Sequence, residues 1–493
     1  MLICLLLEAV CRSADANAWK SRTIYQLLTD RYWRSNGDTQ TPCNLNNYCG
    51  GDWEGIIQQL SYIKDLGFDA IWISPVVDNM DPGYHGYSFR NWEMVNAHFG
   101  DEASLKKMID AAHSMGIWVM ADVVANHVAP VGDDFSTIYP FNQGYHYHSD
   151  CAIEDWKNQW QLEHCRLANL PDLNQTQPFV RQYLINWIKQ HVSKFGFDGV
   201  RIDTTIHVEK PFWTEYARSA GVYTVGEIFN DDDSVVGDYQ NYIDGTLNYG
   251  MYFTIKDVFS QGKSMNEIAQ RWDTINKYFK NPDLLALFFD NHDNPRFLHD
   301  QPDWRLLKST MAFTLTARGI PILYYGSEQG YSGGNDPGCR EPLWTNMNKN
   351  HELYKFVQTL NRARAAHGAQ SQPFEQKWVD DNLYAFTRGR FFVAVTNRVN
   401  MQVNVNVPNA GFSEGQNVCN IFNSDDCVSI SGGKLPINLS NGEVKVYIPS
   451  SSSFFVSQRK TTKQILLEKN LIPLHKASKN QNDNNFSWAS GLR

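Results

Sequence analysis

Between about residues 20 and 370, short β-branched or aromatic runs alternate with stretches of helical spacing, and the alternation occurs eight times. The runs span residues 23–27, 70–73, 118–124, 199–203, 223–227, 243–247, 285–290 and 319–325. Strands separated by helices pair in parallel, because a short turn cannot connect parallel neighbours. Eight such units close into an α/β fold of one kind, a (β/α)8 TIM barrel. The intervening stretches carry helical periodicity: across 101–115, Leu105, Met108, Ile109 and Ala112 fall on one face, and 179–195 reads the same way.

One connection breaks the rhythm. About 75 residues separate the third run from the fourth, a length that marks a functional loop or a subdomain. After residue 372 the pattern changes to alternation at period two, as in Gln402-Val403-Asn404-Val405-Asn406-Val407. That pattern predicts an antiparallel β-sandwich domain. The expected organisation is therefore a leader at 1–16, a barrel at 17–127 and 199–371, an insert at 128–198 whose last helix belongs to the barrel, a β domain at 372–456, and a disordered polar tail at 457–493.

The leader rests on Met1-Leu2-Ile3-Cys4-Leu5-Leu6-Leu7 followed by Ala14-Asp15-Ala16, an apolar run before a small-x-small site. No later segment approaches the ~18 apolar residues of a membrane span. A net charge of −9 with no basic stripe in the main body disfavours nucleic acid and suits a neutral polymer. Beyond the leader, the cysteines form three close pairs, Cys43/Cys49, Cys151/Cys165 and Cys419/Cys427, in loop-like stretches, with Cys339 left over. Such spacing reads as loop staples in an oxidising compartment. Glycosylation triplets at Asn174, Asn438 and Asn485 agree with secretion.

The chemistry is concentrated at the ends of the runs. The active site of such a barrel lies at the C-terminal ends of its strands. There the chain places Asp122-Val-Val-Ala-Asn126-His127, Gly199-Val-Arg201-Ile-Asp203, Gly226-Glu227 and Phe289-Asp-Asn-His292-Asp293. Arg201 and Asp203 are two apart and share a face. A single acid there would be a loop carboxylate or a cap. Several on one rim have no structural use, since unpaired charges facing a barrel interior are costly.

These segments resemble the four signature segments of the α-amylase family of glycoside hydrolases. The likeness extends to Gly83-Tyr-His-Gly-Tyr87, Leu170-Pro-Asp-Leu173, Gly319-Ile-Pro-Ile322 and Gly333-Gly-Asn-Asp-Pro337, and is closest to secreted fungal-type enzymes. The resemblance implies retaining endo-hydrolysis of α-1,4 bonds in starch-like glucans by a secreted monomer. It assigns Asp203 as nucleophile, Glu227 as general acid/base and Asp293 as the third carboxylate. Tyr87, His127, Arg201, His207, His292, Asp336 and Arg340 would contact sugar or the reacting carboxylates. Asn126, Glu163, Asp172 and the His207 carbonyl would bind Ca²⁺, a set of hard oxygen donors.

The chain departs from the family pattern at four positions. Ile206 stands where a lysine is usual, Asn230 replaces an acid, Ser88 replaces an aromatic and Cys339 replaces an asparagine. The first three bear on acceptor-side binding and product pattern. Other readings are an α-glucosidase, a maltogenic hydrolase or a transglycosylase of the same family, and, from a different class, a non-catalytic glucan binder.

Overall fold

The computed structural model describes residues 14–455. The first thirteen residues of the expected leader, the expected tail and Asn485 lie outside the described residues. Residues 14–16 are built into the fold. Asp15 accepts from the Ala18 N–H and caps the short helix Ala16–Trp19, and Tyr223 N–H donates to the Ala14 carbonyl at 3.2 Å. Trp19 is fully buried and fills the space above Gly199, where a Cβ would come within 2.7 Å of its ring.

The barrel strands are Ile24–Gln26, Ala70–Trp72, Trp118–Val123, Gly199–Ile202, Tyr223–Gly226, Gly245–Thr246, Ala286–Leu287 and Ile320–Tyr324. They follow one another around an eight-stranded parallel sheet, with the eighth strand paired to both the first and the seventh. A parallel bridge from Leu247 to Ala286 joins the sixth strand's end to the seventh. Each strand lies inside an expected run. The sixth and seventh are only two residues long. Ile24, Ala70, Met120, Val225, Leu247, Phe288 and Ile322 fill the interior, each aliphatic or aromatic side chain contributing roughly 1.5–3 kcal/mol when fully buried.

A hairpin of Val77–Asn79 with Phe89–Val95 follows the second barrel strand and was not anticipated. Its second strand carries Arg90, Asn91 and Glu93 and is half exposed, so its composition reads as loop. The hairpin docks on the insert through Ala129 N–H to the Phe89 carbonyl and Trp92 N–H to the Tyr139 carbonyl. The insert is tied by the Cys151–Cys165 disulfide and by bridges of His127 with Asp172 and Tyr147 with Leu173. Its last helix, Pro178–Phe195, packs on the barrel helix Lys210–Ala220.

Beyond residue 372 a six-stranded sheet faces a two-stranded one, all pairings antiparallel. Leu383, Phe392, Val407, Leu435, Leu439 and Tyr447 form their shared core. The Cys419–Cys427 bond corrects one expectation: it joins directly opposed residues of adjacent strands rather than stapling a loop. The main compact unit ends at Pro449, with the last strand.

Candidate active site

The third to fifth barrel strands deliver their acids to one place. Asp122, near the end of Trp118–Val123, and Asp203, just past Gly199–Ile202, both reach Arg201 Nη1 at 2.9 Å. Glu227 follows Tyr223–Gly226, and its Oε2 lies 2.7 Å from Arg201 Nη2. Three carboxylates thus share one fully buried guanidinium. Gly226 permits this crowding: a Cβ there would meet Ile243 Cδ1 at 2.5 Å and Thr205 Oγ1 at 2.7 Å.

The turn after Asp203 is strained. Thr204 has φ of 47°, a left-handed conformation costing a non-glycine residue on the order of 1–3 kcal/mol. That geometry aims the Thr204 N–H at Glu227 Oε2, 3.1 Å away. Tyr249 adds its hydroxyl to Glu227 Oε1 at 3.4 Å and takes a bond from Asn291.

Electrostatics follow from the count. Three acids against one cation leave excess negative charge in a buried volume. Burial pushes Asp122 up to about 6, with Arg201 opposing. Burial, and secondarily the charges of Glu227 and Asp122, raises Asp203 well above the usual carboxylate range despite Arg201. Asp122 and Asp203 are therefore harder to ionise than isolated carboxylates.

A relay of neutral groups runs up to the same acids. Gln26 Nε2 lies 2.8 Å from His292 Nδ1, and His292 Nε2 lies 2.7 Å from the Tyr87 hydroxyl. An amide nitrogen only donates, so Nδ1 accepts and Nε2 keeps the proton. Burial holds His292 well below its ordinary value, which keeps the ring neutral. Tyr87 donates onward to Asp122 Oδ2 at 2.7 Å, and Trp72 Nε1 adds a second bond at 2.9 Å. Gly86, at φ 93° and packed on Pro75, sets the turn that brings Tyr87 in. His127 is likewise buried and pushed down to about 4, with Nε2 at 4.0 Å from Asp203.

Asp293 is held at the open edge, 3.4 Å from His292 and 3.3 Å from Arg340. Arg340 pairs with Asp336 at 2.9 Å and donates to the His292 carbonyl at 2.7 Å. The expected sugar contacts Tyr87, His127, Arg201, His292, Asp336 and Arg340 therefore converge with the acids. The His207 ring turns instead to the insert, with Nδ1 at 3.0 Å from the Leu162 carbonyl. Gln26, Trp72, Asp122, Tyr249 and Asn291 complete the site and were not singled out. Asp122 stood inside a recognised segment, whereas Gln26 and Trp72 look like ordinary strand residues.

Three of the four expected metal ligands, Asn126, Asp172 and the His207 carbonyl, meet where the insert joins the barrel. The Asn126 side-chain oxygen lies 2.8 Å from Asp172 Oδ1 and 2.9 Å from the His207 carbonyl, while its nitrogen faces His127 Nδ1. The alternative amide orientation would satisfy the trio by hydrogen bonds. Glu163 Oε1 accepts from Gln159 Nε2 at 2.7 Å. Among the described residues no cluster of three or more His, Cys, Asp or Glu forms a metal site. The trio is of another kind: one amide, one carboxylate and one main-chain carbonyl.

Comparison with known proteins agrees with this arrangement. A family model described as the alpha amylase catalytic domain matches residues 26–420. An α-amylase of Saccharomycopsis fibuligera is 35% identical over 465 residues, covering 89% of this chain and 93% of that protein. A beta/alpha-amylase of Paenibacillus polymyxa is 39% identical over 458 residues, which is 87% of this chain and 38% of that longer protein. The solved structure of an α-amylase from Malbranchea cinnamomea superposes with a TM-score of 0.86 at 36% identity, covering 89% of this chain and 99% of that one. With its fold, its rim of acids and these relatives in agreement, the chain belongs to the α-amylase family of glycoside hydrolases.

Proposed function

We propose that the enzyme cuts internal α-1,4 bonds of starch-like glucans with retention of configuration, through a covalent glycosyl-enzyme on Asp203. The observation that carries this reading is the bracketing of one guanidinium by Asp203 and Glu227, at 2.9 and 2.7 Å. A retaining pair must stand only about 5–5.5 Å apart, and neighbours on one Arg suit that distance.

Asp203 attacks the anomeric carbon while Glu227 protonates the departing glycosidic oxygen. Glu227, then a carboxylate, takes a proton from water, which attacks the anomeric carbon and frees Asp203. Arg201 favours the ionised nucleophile, and Glu227, seated on the same guanidinium, is placed to hand its proton to the leaving oxygen. Asp293, at the open edge beside His292, grips hydroxyls of the distorted sugar. Tyr87, held by three hydrogen bonds, offers a fixed ring face at the cleavage point.

Asn126, Asp172 and the His207 carbonyl fit a Ca²⁺ ion by their chemistry, because an amide, a carboxylate and a main-chain carbonyl bring hard oxygen donors to one place. Glu163 would complete the set. When bound, the ion supplies positive charge that fixes the insert against the rim. A secreted location accords with the disulfides, and no helix among the described residues is long and apolar enough to cross a membrane.

Endo action is tested by following amylose viscosity against reducing-end release. A steep viscosity loss at low reducing-end yield is expected. Glucose alone, with viscosity falling only in proportion, would point to an exo-acting member of the family.

A further inference from the structure

Gln26 ends the first barrel strand, and its backbone is held from both sides. Leu27 N–H donates to the Trp72 carbonyl and Tyr325 N–H to the Gln26 carbonyl, each at 2.9 Å. The side chain is 2% exposed and shares a face with Ile24, which lies in the barrel core. Such a position in a parallel strand suits an aliphatic residue. An amide there is costly, because its Oε1 has no partner among the described residues. Stability gives no reason for the amide, so the reason lies in what its nitrogen does.

Nε2 meets His292 Nδ1 at 2.8 Å. The direction of that bond is fixed from the far end of the relay. Asp122 Oδ2 accepts from Trp72 Nε1, and both Asp122 oxygens accept from Arg201 Nη1. An ionised carboxylate only accepts, so the Tyr87 hydroxyl gives its single proton to Asp122 Oδ2. The Tyr87 oxygen then has only lone pairs for His292 Nε2 at 2.7 Å and Arg201 Nη1 at 3.3 Å. Nε2 therefore carries the ring proton. A neutral imidazole has one N–H, so Nδ1 is bare and requires a donor. Only the nitrogen end of the Gln26 amide qualifies, and that end faces the ring.

The surroundings keep the ring neutral. Burial lowers its affinity for a proton, and the charges of Arg340 and Arg201 lower it further against the opposing pull of Glu227. Asp293 faces Nε2 from the open edge at 3.4 Å. Cys339 donates to the His292 carbonyl at 3.3 Å, and burial pushes its thiol up to about 12. His85 is held down to about 3 by burial, and burial raises Tyr324, the register neighbour of Gln26, so both stay neutral.

We propose that Gln26 is a positioning residue that fixes the tautomer of His292, and with it the direction of every hydrogen bond from the first strand to Asp122. With the ring proton on Nδ1 instead, bare Nε2 would take the Tyr87 proton. The Tyr87 oxygen would then face Asp122 Oδ2 at 2.7 Å with no hydrogen between them. Tyr87 would lose its seat at the cleavage point, and His292 would offer no N–H beside Asp293. The consequence for turnover rests on the function proposed above; the tautomer rests on the hydrogen bonds alone.

The test compares two variants of the full chain, each assayed on soluble starch below its own melting transition. Gln26→Met removes the donor without adding charge. Its kcat/KM should be about tenfold lower, the loss of one hydrogen bond, with the pH profile keeping its wild-type shape. Gln26→Glu keeps the shape of the side chain. At low pH its protonated carboxyl group donates to Nδ1 as the amide does. As pH rises the carboxylate claims a proton on Nδ1 and leaves Nε2 bare. The ratio of its kcat/KM to that of the wild type should stand near one at the acid end and fall about tenfold with rising pH. Two variants that lose activity by the same factor at every pH overturn the proposal, because Gln26 would then only fill space. Wild-type kcat/KM in Gln26→Met overturns it as well. Histidine-selective ¹⁵N labelling of the wild type reads the tautomer without turnover, the His292 signals being recognised by their loss in His292→Gln. A bare Nδ1 and a protonated Nε2 are expected, and the reverse overturns the proposal. If the wild type does not hydrolyse starch, the function reading fails, while the nitrogen signals still decide the tautomer.

Discussion

The carboxylates around Arg201 lend themselves to direct substitution. Asp203→Asn and Glu227→Gln keep the shape of the site and remove a charge and a proton donor. Each should lower kcat by at least about 10³-fold with an unchanged melting temperature and retained glucan binding. A variant that keeps a tenth of wild-type kcat would remove that residue from the assigned role. The pH profile gives an independent reading. Asp203 must be ionised to attack, and burial with neighbouring negative charge raises its pKa, so the acid limb of kcat/KM should lie above the ordinary carboxylate value. Asp122→Asn removes one of those charges. The nucleophile then ionises more easily, and the acid limb should move to lower pH. An acid limb that stays in place would uncouple Asp122 from Asp203. Tyr87 and His292 are neutral links in the same wall, and their value lies in orientation.

Elements place these groups more firmly than the residues place themselves. The Gly226-Glu227 step works because the fifth strand meets Ile243 and Thr205 with no room for a side chain. Gly226→Ala should cost roughly 1–3 kcal/mol of stability and lower kcat as Glu227 shifts, read by melting temperature and turnover together. Loss of neither would mean the neighbours give way freely. Element periodicity also decided what the sequence made legible. The eight barrel runs and the helices Glu102–Ser114 and Pro178–Phe195 carry strong apolar patterns, so their types were readable. The hairpin at Phe89–Val95 is mixed in polarity and gains its strand form from docking on the insert. Cys419 and Cys427 sit among Asn and Asp residues whose local preference is for turns, and cross-strand pairing overrides it. Gln26, Trp72 and Tyr249 join the site only through the closure of the barrel, which linear spacing does not express.

At the scale of the molecule, the insert and the barrel share the oxygen trio of Asn126, Asp172 and His207. A bound ion stabilises the folded form by mass action, about 2.7 kcal/mol at a hundredfold excess over Kd. Chelation with EDTA should therefore lower both the melting temperature and the activity on starch, and Ca²⁺ should restore both. Unchanged melting and activity after exhaustive chelation would remove calcium from the fold. The central claim is that Asp203 and Glu227 act as a retaining pair on α-glucans. It is met most directly by time-resolved proton NMR of a soluble amylose digest, following the anomeric signals of newly released ends. Ends that appear first in the α configuration, and only later mutarotate, are the expected result. Ends that appear first as β would contradict the covalent mechanism and require an inverting arrangement of the same acids.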